Sequence, residues 1–387
     1  MLAGCGGSKG KTVVIAVDAP FSRDPYIAST IANGVRLAAA PLGVERGDVA
    51  NFKVVTYDNA GSSSRAVANI RRAVARHAVA VVSDGTGVDA GWRIAAGAHV
   101  PIGILYDGDE QLVDPQKRPN VFRITPTNHG MAFRLAEYLV PKHVRLAFLT
   151  DDTGYGRAGR ASLDRAFSEN RSSVVARIQI PSSATDLAPQ VLQARRAGAT
   201  ALLVWGQPAA IAEAVVAARS AGWQVPVYAP PAAEDPLVRQ QLAGRPEWLD
   251  GLTFVSGRLT AEGGVTPWYD FEGRYRDSFG VEKVGVKDAK GRTVVQPPEF
   301  AMYAFDFTNL LAAAVNAAGT TDGAQVVKQL NQVSTQGANG DSRGFNEASH
   351  EGVVDDDVYF ARFGGMVFRP VSDDALSKTL PTISQNP

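Results

Sequence analysis

The sequence is poor in cysteine and has no excess of charge of either sign, and both shortages exclude classes of protein. Its 387 residues include one cysteine, Cys5, so neither an intramolecular disulfide nor a thiolate metal cluster is expected. Lysine plus arginine number 39 and aspartate plus glutamate also number 39, which gives a formal net charge of zero. Without a Lys/Arg-rich segment, the chain lacks the positive surface expected of a nucleic-acid-binding protein.

Long apolar runs and metal-binding motifs are also missing. No apolar stretch of the sequence approaches the roughly 20 residues that span a bilayer. The sequence has no His-Glu-x-x-His motif, and its five histidines are scattered without the spacing of metal ligands. We therefore expect neither a membrane-spanning helix nor a metal site.

The remaining composition is that of an ordinary globular protein. The apolar fraction is 45% and the charged fraction is 20%, which is enough apolar material for a core and too little charge for disorder. A chain of 387 residues exceeds the size at which a single core stops growing. These values predict two domains.

The N-terminus places the cysteine in a lipobox-like sequence. Leu2-Ala3-Gly4-Cys5 ends a small-residue cleavage site on the thiol, and residues 6–10 are small and polar. This pattern predicts that Cys5 is acylated, that residues 1–10 form the lipobox and a flexible tether, and that a signal segment precedes Leu2 in the precursor. The protein would then be anchored outside the cell membrane. The alternative is an unmodified thiol at a frayed end.

Strand and helix patterns alternate along the chain. Apolar β-branched residues at 12–17 precede helical apolar spacing at 27–40, and the same order recurs up to residue 106. Continuous apolar strands that are each followed by a helix predict a parallel sheet covered on both faces. A second α/β series follows residue 126, with helices predicted at 128–139 and 159–169 and strands at 145–150 and 174–180. Gly364-Gly365, between two strand-like segments, predicts a closing antiparallel hairpin.

Four stretches carry a family resemblance by their order and spacing: Tyr57-Asp58-Asn59, Val121-Phe122-Arg123-Ile124-Thr125-Pro126, Asp151-Asp152-Thr153-Gly154-Tyr155-Gly156 and Met302-Tyr303-Ala304-Phe305-Asp306. From residue 11 to about 370 the chain resembles the type I periplasmic binding proteins of ABC importers, and among them the branched-chain amino acid binding group. The resemblance implies an α/β fold of two Rossmann-like lobes, each a parallel sheet flanked by helices, joined by three crossovers.

The same resemblance implies lobe boundaries and a hinge. The first lobe would comprise residues 11–125 plus 258–345, and the second 126–257 plus 346–387. Closure would be a hinge motion near Thr125-Pro126, Ser256-Gly257 and Gly344-Phe345. The implied protein is a monomeric, non-enzymatic solute-binding protein that delivers a small polar or amphipathic ligand, such as an amino acid, to a membrane permease.

The ligand site is expected in the crevice beyond the carboxyl ends of the strands, where loops and helix N-termini meet. Aromatic rings would wall the site, hydroxyl and amide groups would hydrogen-bond, the aspartates would suit an amine, and the arginine would suit a carboxylate. The candidate ligand-binding residues are Ser22, Arg23, Asp84, Thr86, Tyr106, Asp107, Tyr155, Trp205, Gln207 and Tyr303. The alternative is that each aromatic is core and each aspartate a helix cap.

The chain departs from the clamp that amino-acid binders of this group use. Where they have a Ser-rich turn, an Ala-Thr pair and a glutamate, this sequence has Asp84-Gly85-Thr86-Gly87, Tyr106-Asp107-Gly108 and Pro230-Pro231-Ala232. Glu234 or Asp235 is a candidate replacement for the missing acid. The ligand is therefore not identified by the resemblance.

Two other functions fit parts of the sequence. Gly85-x-Gly87-x-x-Ala90 follows a strand, opens a helix and has Asp107 about 20 residues after Gly87, which is the layout of a dinucleotide fingerprint. That layout would make the protein an NAD-dependent oxidoreductase. A lipid-tethered, ligand-sensing partner of a membrane receptor is the other alternative.

Overall fold

The computed structural model describes residues 11–40, 49–170, 174–257, 266–280, 285–295, 298–354 and 357–371. The expected lipidation site, Cys5, and the expected tether lie outside these residues. Within the described ranges no helix combines the length and the apolar character of a membrane span.

The strands agree closely with the alternation predicted from the sequence. In chain order they are β1 (Lys11–Ala19), β2 (Ala50–Asp58), β3 (Ala78–Ser83), β4 (Ile102–Ile104), β5 (Val121–Arg123), β6 (Leu146–Asp151), β7 (Val174–Ile180), β8 (Ala201–Trp205), β9 (Val227–Ala229), β10 (Thr253–Ser256), β11 (Gly285–Lys287), β12 (Thr293–Val295), β13 (Ser334–Gln336), β14 (Ser342–Gly344), β15 (Tyr359–Gly364) and β16 (Val367–Val371).

Helices follow most strands of the two large sheets. They are α1 (Pro25–Ala39), α2 (Ser63–Ala75), α3 (Val88–Gly97), α4 (Asn128–Leu139), α5 (Gly154–Glu169), α6 (Ala188–Arg196), α7 (Pro208–Ser220), α8 (Pro236–Gln241), α9 (Thr266–Phe279), α10 (Glu299–Ala318) and α11 (Gly323–Leu330). Of these, α1, α4, α5, α8 and α11 begin at a residue whose side chain caps the helix. The start of α1 is typical, because Asp24 accepts a hydrogen bond from the Ile27 amide and Pro25 occupies the first turn.

Two sheets organise the chain, as the α/β prediction requires. The first is a five-stranded parallel sheet in the order β2-β1-β3-β4-β5. The second has seven strands in the order β16-β15-β10-β9-β8-β6-β7, in which β15 pairs antiparallel with both β10 and β16. The closing antiparallel hairpin is therefore confirmed. We call each sheet with its helices the first and the second lobe.

Helices cover both faces of each sheet, which is why the strands are apolar throughout. Residues of α1, α10 and α11 pack on one face of the first sheet, and residues of α2 and α3 on the other. On the second sheet, α6, α7 and α8 cover one face, and α4 and α5 cover the other. Every residue of β3 is buried, as expected for a central parallel strand.

Two hairpins were not predicted from the sequence, and one of them contacts the lobe opposite to that of its chain neighbours. Val286 of β11 is buried in a core cluster of the second lobe, whereas α9 and α10 on either side of it pack in the first. Phe345 and Val353 pack in the first lobe's core. The division of the chain at residues 125, 257 and 345 stays a prediction, and these contacts refine it.

A buried polar cluster ties the segments that connect the lobes. The Arg343 side chain is fully buried and lies 3.2 Å from a carboxylate oxygen of Asp306 and 2.9 Å from one of Asp357. The Asn339 side-chain amide donates to the Gly257 carbonyl at 2.6 Å. The cluster therefore joins α10 to the chain after β10 and to the chain before β15.

Candidate functional site

A cavity of about 280 Å³ lies between the two lobes, at the carboxyl ends of their strands. Loops after β3 and β4 form its first-lobe wall, α5 forms its second-lobe wall, and the start of α4 closes one side. The lining residues are Asp84, Thr86, Tyr106, Asp107, Asp109, Asn128, Gly154, Tyr155 and Ala158. Both lobes thus contribute to one small space.

Glycine at position 85 brings the two first-lobe loops together. Gly85 has φ of +112°, and a Cβ built there would lie 2.2 Å from the Cβ of Asp107. No larger residue would leave room for that contact. The Asp107 amide donates to the Asp84 carbonyl at 2.9 Å. These contacts hold the Asp84 and Asp107 side chains side by side in the cavity wall.

Asp84 belongs to a buried network that raises its pKa. Asn59 donates to Asp84 Oδ1 at 2.9 Å and the Thr86 hydroxyl to Oδ2 at 2.6 Å. Burial raises the pKa of Asp84 to about 6, although these hydrogen bonds oppose the shift. Behind it, Asp18 accepts from Asn69 at 2.7 Å, and burial raises the pKa of Asp18 to about 7. The first-lobe wall and the aspartate behind it therefore keep their protons to a higher pH than an exposed aspartate does.

Asp107 and Asp109 extend the acidic wall. Burial, followed by the charge of Asp109, raises the pKa of Asp107, while its hydrogen bond from the Asp109 amide and the charge of Arg123 lower it. Arg123 lies behind the wall and does not line the cavity. Its guanidinium donates to the carbonyls of Asp107 and Asp109 and forms an ion pair with Glu351 at 2.6 Å.

The second-lobe wall is the first turn of α5. Thr153 caps the helix by accepting a hydrogen bond from the Gly156 amide, which starts α5 at Gly154 and turns Tyr155 and Ala158 toward the cavity. The Tyr155 ring lies 6.2 Å, centroid to centroid, from the Tyr106 ring of the first lobe, with 27° between the planes. This stacked pair joins the two lobes at the cavity.

Five of the candidate residues line the cavity: Asp84, Thr86, Tyr106, Asp107 and Tyr155.

Ser22 and Arg23 are exposed and lie outside the lining. The Ser22 amide donates to Asp58, and the Arg23 side chain lies over Gly61, where a Cβ would be 2.7 Å from a guanidinium nitrogen. The Gln207 amide donates to Asp151 at 2.6 Å, and the Gln207 side chain is not in the lining.

Two predicted wall residues are core residues instead. Trp205 is fully buried beneath α5, because Gly159 has no Cβ to keep the indole away from the helix. Tyr303 is also fully buried, and its hydroxyl donates to Glu299 beside Gly257. The expectation that Trp205 faces the cleft at a strand end was wrong, because its side chain points into the layer between sheet and helix.

The sequence reasoning missed Asp109, Asn128, Gly154 and Ala158. Gly154 and Ala158 were missed because we expected α5 to begin at residue 159, whereas it begins at Gly154. Thr153 before Gly154 is the capping signal that indicates the true start. Asn128 opens α4 at the expected residue, but its position against Gly108 depends on the loop after β4.

The charges around the Gly85-x-Gly87 turn do not favour a dinucleotide, and neither candidate replacement acid lies in the cavity wall. Asp84 and Asp107 flank the Gly85-x-Gly87 turn, and their charges oppose a pyrophosphate there.

Glu234 is fully buried and accepts a hydrogen bond from the Glu299 amide, so its carboxylate is used inside the fold. Asp235 caps α8 by accepting from the Leu237 amide at 2.7 Å. Neither Glu234 nor Asp235 lines the cavity.

Sequence comparison identifies one family. The model of the family described as periplasmic binding protein matches residues 13–365. No curated protein matches the chain in sequence.

Solved structures share the fold over nearly the whole chain. A periplasmic binding protein type 1 from Bordetella pertussis is 21% identical, with a TM-score of 0.78 over 93% of this chain and 100% of its own. A branched-chain amino acid transporter substrate binding protein from Streptococcus pneumoniae, in complex with isoleucine, is 18% identical, with a TM-score of 0.77 over 93% and 99%.

A solute binding protein of an ABC transporter from Rhodopseudomonas palustris, in complex with 3,4-dihydroxybenzoic acid, is 15% identical, with a TM-score of 0.75 over 93% of this chain and 96% of its own. At these identities the likeness establishes the fold. The bound molecules in the two complexes differ in chemistry, so the fold does not determine the ligand.

Proposed function

The chain belongs to the periplasmic binding protein family, and on that premise we propose that it is an extracytoplasmic, lipid-anchored solute-binding protein of an ABC importer. It captures a small polar or amphipathic molecule between its lobes. It then presents the closed form to a membrane permease. Closure is a hinge motion at the three segments that connect the lobes.

The observation that carries this proposal is a small cavity whose wall is built from residues of both lobes. Tyr106 comes from the first lobe and Tyr155 from the second, and their rings stack on each other where they line the cavity. A ligand in this space contacts both lobes at once. Ligand binding therefore favours the closed arrangement, because the contacts to the opposite lobe exist only when the lobes meet.

We propose that the protein binds its solute without catalysing a reaction. Gly340-Asp341-Ser342-Arg343-Gly344 has the spacing of a nucleophile elbow, but Ser342 begins β14 in a hairpin rather than a strand-to-helix turn. The lining offers carboxylates, hydroxyls, an amide and aromatic rings. These groups suit recognition of a solute.

The test is ligand-linked stability. A cognate solute at about one hundred times its dissociation constant raises the free energy of unfolding by about 2.7 kcal/mol, because it binds the folded state alone. A thermal-shift screen should cover amino acids, amines, amides, aromatic acids and sugars. A complete absence of stabilisation across this library would contradict the proposal.

The lipid anchor has its own test. A precursor with its signal segment, expressed in its own host, should partition into detergent and carry a diacylglyceryl mass on Cys5, since two acyl chains hold a protein on a membrane far better than one. Cys5→Ser should release the protein into the medium with ligand binding unchanged. A wild-type protein found wholly in the cytoplasm would refute the anchor.

A further inference from the structure

The cavity wall is acidic, and its charge indicates which class of solute the protein binds. Asp84, Asp107 and Asp109 line the cavity, and the lining set contains no lysine, arginine or histidine within the part of the chain that the structure describes. We infer that the ligand is a small organic cation, an amine without a carboxylate, whose ammonium group is held by the first-lobe wall. This inference rests on the proposed solute-binding function and specifies its substrate class.

An unpaired acceptor on a lining residue, beside Gly108, is a second observation in favour of a ligand with hydrogen-bond donors. Asn128 lines the cavity and is 1% exposed, and its side-chain oxygen has no hydrogen-bond partner. A buried acceptor without a donor is costly, so a bound donor would stabilise it. An ammonium group has three N–H donors. The Thr86 hydroxyl does not compete for that acceptor, because it donates to Asp84.

Acids of the chain already lie close to the groups that would otherwise attract a ligand carboxylate. The N-terminus of α5 faces the cavity and would attract an anion. However, Asp151 lies at that N-terminus, where it accepts from the Thr153 amide at 3.1 Å and from the Gln207 amide at 2.6 Å. Arg123 is engaged with Glu351. A carboxylate in the cavity would therefore face Asp84, Asp107 and Asp109 without a paired cation.

The tyrosine pair suits the same cation. A cation near the face of a tyrosine ring is attracted by the ring's quadrupole, and Tyr106 and Tyr155 bound the cavity from opposite lobes. Burial, and after it the charges of Asp151 and Asp107, raise the pKa of Tyr155, which keeps its phenol neutral. Both lobes thus place negative potential in the space.

Size and geometry indicate an organic cation rather than a metal ion. No group of three or more His, Cys, Asp or Glu side chains is arranged to hold a metal ion among the described residues. The cavity of about 280 Å³ has room for roughly nine water-sized groups, at about 30 Å³ each. That is the size of an amine with a short aliphatic or single-ring tail.

The experiment compares matched ligands by isothermal titration calorimetry at pH 8. Each set has an amine, the amino acid with the same side chain, and the amino-acid amide, in which a neutral carboxamide replaces the carboxylate. The sets are isoamylamine, leucine and leucinamide, and tyramine, tyrosine and tyrosinamide. Agmatine and arginine form a third pair. We expect at least one amine to bind at least tenfold more tightly than its amino acid. Amino acids that bind as tightly as their amines would overturn the inference.

The same titrations separate the two proposals. If amino acids, sugars or aromatic acids bind and amines do not, the amine inference fails and the solute-binding function stands. If no solute of any class binds, the solute-binding function fails and the inference fails with it. Calcium chloride alone should give no heat of binding. Saturable calcium binding that displaces the amine would replace the organic cation by a metal ion and overturn the inference.

Variants place the cation at the first-lobe wall. Asp107→Asn should weaken amine binding at least tenfold, whereas Asp152→Asn, which neutralises an exposed acid outside the cavity, should change it less than twofold. Ala158→Lys tests the same idea from the opposite wall and avoids the risk that a buried substitution prevents folding. It should weaken amine binding and strengthen binding of the matching amino acid. Unchanged affinities in a folded Ala158→Lys protein would contradict the inference.

Discussion

The two lobes repeat one strand order but differ in what they present at the ends of their strands. The parallel part of the second sheet, β7-β6-β8-β9-β10, has the same order as the first sheet, β2-β1-β3-β4-β5. Each lobe has a buried aspartate at or next to the end of the second strand in that order, which is β1 in the first lobe and β6 in the second. Asp18 accepts hydrogen bonds from the side chains of Asn59 and Asn69, whereas Asp151 accepts from the backbone amides of Thr153 and Gln207 and from the Thr153 hydroxyl.

This difference separates two roles in the cavity. The first lobe supplies charge, through Asp84, Asp107 and Asp109 on loops that Gly85 holds together. The second lobe supplies shape, through a helix start whose cavity-lining residues are Tyr155 and the small residues Gly154 and Ala158. The fold fixes where the loops meet, and the residues in the loops determine what is recognised.

The largest effect is expected when the indole of Trp205, which supports the second-lobe wall, is removed. Trp205→Ala should lower the free energy of unfolding by about 3–5 kcal/mol, because Trp205 is a fully buried core residue beneath α5. Urea unfolding followed by circular dichroism measures the loss. Trp223→Ala is the control, and it should cost less because Trp223 is only partly buried. If Trp205→Ala left the urea midpoint unchanged and abolished ligand binding, the indole would line the cavity and not belong to the core.

The acidic network of the first lobe can be tested by pH. The folded protein holds the Asp84 proton up to about pH 6, whereas an unperturbed aspartate releases it near 3.8. The folded state therefore binds more protons in this window, and the Asp84 contribution to stability falls as pH rises through it, by about 3 kcal/mol. Asp18 acts with the same sign up to about pH 7.

The measurement is the free energy of unfolding at pH 4, 5, 6 and 7 for the wild type and for Asp84→Asn. The free energy of unfolding of Asp84→Asn should fall less steeply with pH than that of the wild type, since the amide has no proton to release. Equal slopes in the two proteins would contradict the coupling of Asp84 to burial.

The stacked tyrosines test whether both lobes contribute to binding. Tyr155→Ala should weaken binding of an identified solute by about 2 kcal/mol, as loss of an aromatic contact residue does. Tyr155→Phe should cost about 0.5–1.5 kcal/mol, the scale of one hydrogen bond. Calorimetry with each variant gives the affinities, and thermal unfolding checks the fold. An affinity that responds to Tyr106→Ala and not to Tyr155→Ala would confine the site to the first lobe.

The smallest effects are expected for candidate residues that lie outside the cavity. Ser22→Ala and Arg23→Ala should each change affinity less than twofold, equivalent to about 0.4 kcal/mol, because both side chains are exposed and away from the lining. Titration of both variants with the same solute is sufficient. A tenfold loss in either would mean that the loop after β1 contacts the ligand.

The fold was predictable because its signals are local. Periodicity identified the strand at 174–180 and the helix at 128–139 with their observed limits. The site was predictable in part, since Asp84 and Asp107 directly follow apolar strands. Trp205 was misplaced because a strand residue alternates between faces, and a single-residue difference decides between cleft and core. That choice depends on Gly159, which is distant in sequence.

The discontinuity of both lobes has a consequence for synthesis. The first lobe's core joins residues 13–82 to residues 300–353, and the second lobe's core joins residues 147–254 to Val286 and to residues 361–368. Neither core is complete until almost the whole chain has left the ribosome. Contacts this far apart in sequence form slowly. The nascent chain therefore stays without a finished domain, which leaves it threadable through a translocation pore for most of its synthesis.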